Sequence, residues 1–343
     1  MKAIQLGEGG SPNANGAWPL ERLRSVQLPD PAAPKAGEIA VRIHASSLNY
    51  HDYTVVRSAP AQRAGLIPMS DGAGVVEAVG EGVREFARGD HVVSCFFPLW
   101  QDGPAPHADF GNVPGDGVDG YARERVLRPA SWFTRAPKGY SHAEAATITT
   151  AGLTAWRALV YEGALKAGDS VLILGTGGVA ICALQLAKRM GAHVIVTSSS
   201  DEKLERARAL GADQLINYER DPKWEDAVRR ATDGRGVDQV LELGGPGTLT
   251  RSIAAARIGG VISLIGTVTG YTGQVPTALL MARQVRLQGL IVSHRRHQQE
   301  FVRALEQNQL RPVIDRSFAL DELVDAFRYQ ESARHLGKIC LEF

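Results

Sequence analysis

The chain has 343 residues, with 38 Lys plus Arg against 37 Asp plus Glu, a formal net charge of +1. With 44% hydrophobic and 22% charged residues it falls outside the disordered class, and its neutral balance lacks the electrostatic footprint of a nucleic-acid binder. The length suits two domains of about 150 residues each.

The first part of the chain reads as short strands between turns. Ile39–Ile43 alternates apolar and polar residues, the pattern of a half-buried strand, Gly72–Gly80 is a strand entered and left through glycines, and Gly89-Asp90 is a turn before the strand His91–Ser94. These predict an antiparallel β-rich domain, a partly closed barrel. Phe96–Val118 contains Pro98, Pro104, Pro106 and Pro114 with four glycines, which excludes a helix or a central strand. Its Phe96, Phe97, Trp100 and Phe110 fit either a lid over a substrate cleft or an Ω-loop packed on its own aromatics. His107, with Asp109 two residues on, reads as a solvated loop histidine.

From about Ala151 strands and helices alternate. Ser170–Leu174, His193–Thr197, Gln214–Asn217, Asp238–Glu242 and Gly260–Ile265 read as strands, and Val179–Met190 and Asp201–Leu210 as helices. This predicts a parallel sheet covered on both faces, so the fold class is α/β. A helix around Glu300–Asn308 opens a tail that ends in the strand Lys338–Glu342. Cys95, Cys182 and Cys340 form no CxxC pair and the start of the chain has no apolar signal region, so a reducing cytoplasmic setting is expected; Cys182 reads as core. No apolar run approaches ~18 residues, so no membrane span is expected.

Gly175-Thr176-Gly177-Gly178-Val179-Ala180 fits the G-x-G-x-x-G/A pattern, directly after a buried strand and opening a helix. Gly175 permits the tight turn, Gly177 lets backbone approach a pyrophosphate, and Ala180 lets the helix pack closely. The helix N-terminus then presents N–H groups to the phosphates. An NAD-binding strand places an acid about 20 residues on, at the tip of the second strand. Here that tip is Ser198-Ser199-Ser200, with Lys203 just beyond, which favours NADP(H). Ser198-x-x-Asp201 and Ser199-x-x-Glu202 read as capping boxes, leaving these acids to the helix.

The glycine turn, Gly72–Val83, Gly89-Asp90-His91-Val92, Thr150–Ala155, Ser200–Lys203, Leu210–Asp213 and Gly337-Lys338 together resemble the medium-chain dehydrogenase/reductase superfamily along nearly the whole chain. The resemblance implies a GroES-like β-barrel catalytic domain over 1–150, completed by 292–343, and a Rossmann doubly wound parallel sheet over 151–291. It also implies redox chemistry in a cleft between the domains, with NADP(H) bound by Thr150, Thr154, Gly175, Thr176, Gly177, Gly178, Val179, Ser198, Ser199, Lys203, Tyr218, Gly244, Ile265, Ser293 and Lys338. The basic cluster from Ser293 to His297 fits a cofactor contact better than a nucleic-acid role. The strand Arg286–Ile291 resembles the family's edge strand, which implies a homodimer.

Positions matching the family's zinc ligands carry Asn49, Ser70-Asp71 and Thr149, and the structural-zinc lobe retains only Cys95, so no metal is expected; a residual site from His51 and Asp71 is the alternative. Asn49-Tyr50-His51-Asp52 resembles the pattern of the quinone oxidoreductase and enoyl-reductase branches. These four are the candidate catalytic residues. Asn49, Tyr50, Thr150 and Thr154 are candidate donors near a developing oxyanion, and Tyr50, Tyr53, His51 or water candidate proton sources. Asp52 also fits a structural anchor. The expected activity is hydride transfer to a quinone or an α,β-unsaturated carbonyl, a small-molecule substrate. An alcohol dehydrogenase-like enzyme and a non-catalytic NADPH-binding protein are the competing functions.

Overall fold

The structure is a computed structural model and describes residues 1–58, 60, 63–105 and 110–343; His107 and Asp109 lie outside the described residues. The chain forms two units, Met1–Leu153 with Val292–Phe343, and Thr154–Ile291.

The first unit opens with β1 (Lys2–Leu6), paired antiparallel to β2 (Leu23–Gln27). Next come β3 (Glu38–Ser47), α1 (Tyr50–Ser58), β4 (Ala73–Val79), β5 (His91–Ser94), β6 (Arg125–Pro129), β7 (Phe133–Arg135) and α2 (His142–Ala146). β3 is the hub of this unit. Its Ile39, Val41 and Ile43 alternate into the core while Arg42 points to solvent, as the period of two requires. It pairs antiparallel with both β4 and β6, and two register shifts against β4 bend it, which lets one strand serve neighbours in different directions. Ser141 caps α2 in a reciprocal box with Glu144. Wide helical turns follow over Ile148–Gly152, then α3 (Leu153–Trp156) and Arg157–Glu162.

The second unit holds β8 (Ser170–Leu174), α4 (Gly178–Arg189), β9 (His193–Ser198), α5 (Asp201–Ala209), β10 (Gln214–Asn217), α6 (Trp224–Arg230), β11 (Val237–Glu242), α7 (Pro246–Ala255), β12 (Ala256–Leu264), α8 (Thr277–Arg283) and β13 (Arg286–Gly289). All six strands are parallel, in the order β10-β9-β8-β11-β12-β13. This is the doubly wound order, with its switch point between β8 and β11. β8 and β11 are buried at every residue, which explains why Ser170–Leu174 shows no alternation in sequence. Cys182 is half-buried on α4, not the core residue expected.

The chain returns to the first unit through α9 (Arg295–Asn308), β14 (Ile314–Ala319), α10 (Leu323–Glu331) and β15 (Lys338–Glu342). On α9, Gln298, Phe301, Val302 and Leu305 are buried at helical spacing. β15 pairs with the end of β3, giving a seven-stranded sheet in which β14, β15, β3, β4, β5 and β7 follow in order and β6 joins at β3. Among the described residues no helix is long and apolar enough to cross a membrane.

Three histidines from β3, β5 and α2 stack in the first unit. The His142 ring lies 4.5 Å from His44 and 4.9 Å from His91, nearly parallel to the latter. Burial, and then the two neighbouring imidazoles, push His142 down from 6.5 to about 4. Burial likewise lowers His44, with Arg42 and His91 adding to it. A histidine held neutral by the fold stabilises it fully above the unfolded value, and the contribution disappears as pH falls toward the folded value. The thermal midpoint should therefore drop between pH 6.5 and about 4. His142→Gln should flatten that slope, as read by calorimetry across the pH series.

Candidate active site

In the first unit, four segments remote in sequence meet at one carboxylate. Asp71, in the turn before β4, is fully buried. Its Oδ1 accepts from Thr150 Oγ1 at 2.6 Å, and its Oδ2 accepts from Ser47 Oγ at 2.6 Å and Asn49 Nδ2 at 2.8 Å. Lys338, the first residue of β15, lies 3.8 Å from Oδ2 and donates at 2.6 Å to both Leu48 O and Asn49 Oδ1. Burial pushes the Asp71 carboxyl up from its ordinary value; Lys338 opposes this, Asp52 adds to it, and the Ser47 and Thr150 hydroxyls pull it back. Removing one partner of such a buried pair typically costs about 3–5 kcal/mol, because the other charge is left uncompensated.

Of the predicted residues, Asn49, Asp52, Thr150 and Lys338 are brought together here. Asp52 Oδ2 accepts from Asn49 N and Nδ2, both at 3.1 Å, and its Oδ1 from Ser70 N at 2.8 Å, contacts that suit the anchor reading. Three residues into α1, it serves as the carboxylate that caps the helix start. Lys338 turns its ammonium into this network, toward Leu48 O, Asn49 Oδ1 and Asp71 Oδ2. In the sequence Asp71 stands out only at a zinc-ligand position and in the alternative residual site with His51.

Tyr50 and His51 stand on α1 outside the network. Tyr50 is exposed, at 45%. His51 Nε2 lies 3.6 Å from Asp116 Oδ2, and its ring meets Phe96 edge-on at 5.2 Å. Tyr53 donates to Glu331 Oε1 at 2.8 Å, and burial together with that contact raises its phenol. The proline-rich segment is docked at its start. Phe96 is buried, and Arg295 N and Arg296 N at the start of α9 donate at 3.1 Å to the Trp100 and Gln101 carbonyls. Arg296 also pairs with Asp102 at 2.8 Å. His294 caps α9 by accepting from His297 N at 3.2 Å, and the Ser293 hydroxyl meets His297 Nδ1 at 2.6 Å. The basic cluster is thus a helix start clamped by a loop.

In the second unit the predicted cofactor residues gather at the carboxyl ends of the strands. Gly175 has φ +82°, which favours glycine. Gly177 differs: its φ is −77°, and a Cβ there would meet nothing within 4 Å. Neither backbone nor packing demands glycine at 177, so its bareness fits a phosphate group approaching the start of α4, where no side chain caps the helix. Thr176 is buried beside it, and Gly178 and Val179 form the first turn of α4.

At the β9 tip, Ser198 Oγ accepts from Ser200 N at 3.2 Å, and Ser198 O accepts from Tyr218 N at 3.1 Å. The cap of α5 is Ser200, which accepts from Lys203 N at 3.3 Å, so the boxes read from Ser198 and Ser199 are displaced toward Ser200. Asp201 is engaged by Arg220 and by Asn217 Nδ2. Arg220, two residues after Tyr218, is a cation that sequence reading missed.

Across the switch point, Glu242 ends β11 fully buried. Its Oε1 accepts from Gly244 N at 2.8 Å, Gly245 N at 2.9 Å and Thr248 Oγ1 at 2.6 Å, and Ser252 donates to Oε2. Ile265 N and Gly266 N donate to its carbonyl. One residue thereby shapes the turns carrying Gly244 and Ile265. Thr154 is buried at the start of this unit.

Residues 35–138 match the family described as alcohol dehydrogenase GroES-like domain, and residues 178–307 the family described as zinc-binding dehydrogenase. The zinc-type alcohol dehydrogenase-like protein C1773.06c of Schizosaccharomyces pombe is 38% identical over 332 residues, 94% of this chain and 96% of that protein. The quinone oxidoreductase of Homo sapiens is 27% identical over 337 residues, covering 95% and 92%. The structure of mycobacterial Rv1454c complexed with NADPH superimposes with a TM-score of 0.81 at 28% identity, covering 100% of both chains. A GroES-like unit joined to a dinucleotide-binding sheet defines an oxidoreductase that uses a nicotinamide cofactor. The chain belongs to the medium-chain dehydrogenase/reductase superfamily.

The side chains at the positions matching the family's zinc ligands are engaged within the protein. Thr149 Oγ1 donates to Ser94 O at 2.9 Å, Asn49 offers a carboxamide, and Asp71 is engaged by Lys338. His51 faces Asp116, not Asp71. Among the described residues, no group of three or more His, Cys, Asp or Glu could hold a metal ion.

The open space at Gly177 makes a specific demand. Gly177→Val should leave the thermal midpoint within a few degrees of the native value yet weaken nicotinamide dinucleotide binding by roughly tenfold or more. Cofactor fluorescence titration beside thermal unfolding checks both. Loss of stability with unchanged affinity would assign the glycine to packing.

Proposed function

We propose that the protein is a zinc-independent NADPH oxidoreductase acting on an activated acceptor, a quinone or an α,β-unsaturated carbonyl. The observation that carries the cofactor choice is the β9 tip. Ser198 and Ser199 stand where an NAD enzyme places a carboxylate, Lys203 and Tyr218 flank them, and Asp201, the nearest acid, is occupied by Arg220 and Asn217. Serine hydroxyls donate to a 2′-phosphate, and Lys203 and Arg220 supply positive charge. The glycine turn seats the pyrophosphate on the start of α4, and Gly244 and Ile265 complete the rim shaped by Glu242.

The cofactor, when bound, supplies the hydride. The chain orients the acceptor and delivers one proton to its reduced oxygen or carbon. His51, beside Asp116, and the exposed phenol of Tyr50 are the residues on α1 able to transfer it. An electron-poor carbon accepts hydride without a Lewis acid, which suits a site that carries an amide and a carboxylate at the family's zinc-ligand positions. The match to a quinone oxidoreductase over nearly both whole chains supports this substrate class. A homodimer formed along the open edge of β13, in the cytoplasm, completes the reading.

NADPH should bind far more tightly than NADH. Lys203→Ala should weaken NADPH by about 1–2 kcal/mol and leave NADH nearly unchanged, as a charge-assisted phosphate contact requires. Equal affinity of the native protein for both cofactors would refute the assignment. Turnover of a quinone or enone with NADPH should survive a chelator; chelator-sensitive oxidation of alcohols would favour the alcohol dehydrogenase reading instead.

A further inference from the structure

In the second unit, the turns that follow β11 and β12 are joined from two sides. From beneath, the buried Glu242 carboxylate accepts from Gly244 N at 2.8 Å, Gly245 N at 2.9 Å and Thr248 Oγ1 at 2.6 Å. The Glu242 main-chain carbonyl accepts from Ile265 N at 2.9 Å and Gly266 N at 3.0 Å. From above, the exposed Thr269 reaches back across the gap. Its N and its Oγ1 donate to Gly244 O at 2.8 and 2.9 Å, and its Oγ1 accepts from Gly247 N at 2.9 Å. A hydroxyl has one proton to give; here it goes to Gly244 O, and a lone pair serves Gly247 N. The join between the turns is close: a Cβ on Gly266 would stand 1.8 Å from Leu243 O.

Loops at the mouth of a sheet are ordinarily its mobile parts, and ordering them on binding subtracts from affinity. Thr269 fills no core, yet it makes three hydrogen bonds to the neighbouring turn. A dinucleotide in a doubly wound sheet crosses the switch point. With its pyrophosphate at the glycine turn after β8, its second nucleotide lies over the ends of β11 and β12. We propose that Thr269 and Glu242 are positioning residues for the nicotinamide half of the cofactor, which hold the turns carrying Gly244 and Ile265 as one rim before the ligand arrives. They act through the backbone of those turns. The inference rests on the proposed seating of the pyrophosphate at the glycine turn, and is independent of the choice between NADPH and NADH.

The test uses three variants of the full chain. Thr269→Val keeps the side-chain volume and removes the hydroxyl, Thr269→Ser keeps the hydroxyl, and Glu242→Met removes the buried acceptors. Affinity for NADPH and NADH is read by fluorescence titration. Affinity for adenosine 2′,5′-bisphosphate and for ADP, which lack the nicotinamide half, is read by titration calorimetry. Thr269→Val should weaken whichever dinucleotide the native protein binds by about three- to tenfold, the loss expected for a hydrogen-bonded hydroxyl. It should leave both adenosine fragments at native affinity, and the thermal midpoint nearly unchanged because the residue is exposed. Thr269→Ser should bind as the native protein does, and Glu242→Met should show the same split between dinucleotide and fragment. Native dinucleotide affinity in Thr269→Val would overturn the proposal, as would equal losses for dinucleotide and fragments, which would mark a change spread through the unit. Should Glu242→Met fail to fold, Thr269→Val decides alone. Equal affinity of the native protein for NADPH and NADH would overturn the proposed cofactor choice, whereas the comparison of dinucleotide with fragment still reads the rim.

Discussion

A carboxylate taken wholly out of water has to be compensated where it stands, and the first unit is organised around that requirement. Asp71 receives two hydroxyls and an amide, with an ammonium close by. These groups arrive from the end of β3, the segment before α1, the helical turns after α2 and the start of β15. Burial alone would favour the neutral acid; the surrounding donors counter it. Each segment is thereby held in position by a polar interaction that cannot be exchanged for water. The polar core specifies the geometry, while the apolar faces of β3, α9 and α10 supply most of the stabilisation, each fully buried Phe301 or Phe327 contributing about 2–3 kcal/mol.

The second unit solves the same problem differently. There the buried carboxylate of Glu242 is satisfied by backbone N–H groups and two hydroxyls. The result is a pair of shaped turns beside the switch point of the sheet. At the other end of the same strand, Asp238 is held well below the usual carboxylate range. Burial by itself would raise it, but Arg235, the Ser170 backbone and Arg257 outweigh that penalty. This unit places its acids where they order turns and strand starts, and leaves the mouth of the glycine turn bare.

Clamping the proline-rich segment against α9 follows from helix electrostatics. The first N–H groups of α9 have no partner within the helix, and the Trp100 and Gln101 carbonyls accept from two of them. Asp102 adds a negative charge beside Arg296 at that same positive end. The segment's start packs as a loop on its aromatics and on a helix terminus, with Asp116 tying its far end to His51 and Arg63.

Periodicity and turn chemistry are local properties, so the strands β8 to β12, the glycine turn and the serine tip of β9 were legible in the sequence. The family resemblance was legible for the same reason, because its motifs are short runs with fixed spacing. The helix over Tyr50–Ser58 was not read, since its short amphipathic pattern is overridden by site residues at its start. Which groups Asn49 and Thr150 donate to, which groups Asp52 accepts from and what Lys338 touches were not legible. Those properties depend on which groups lie within about 3 Å after residues 49, 71, 150 and 338 are brought together. A hydrogen-bond role is decided by the partner, and only the tertiary structure supplies the partner.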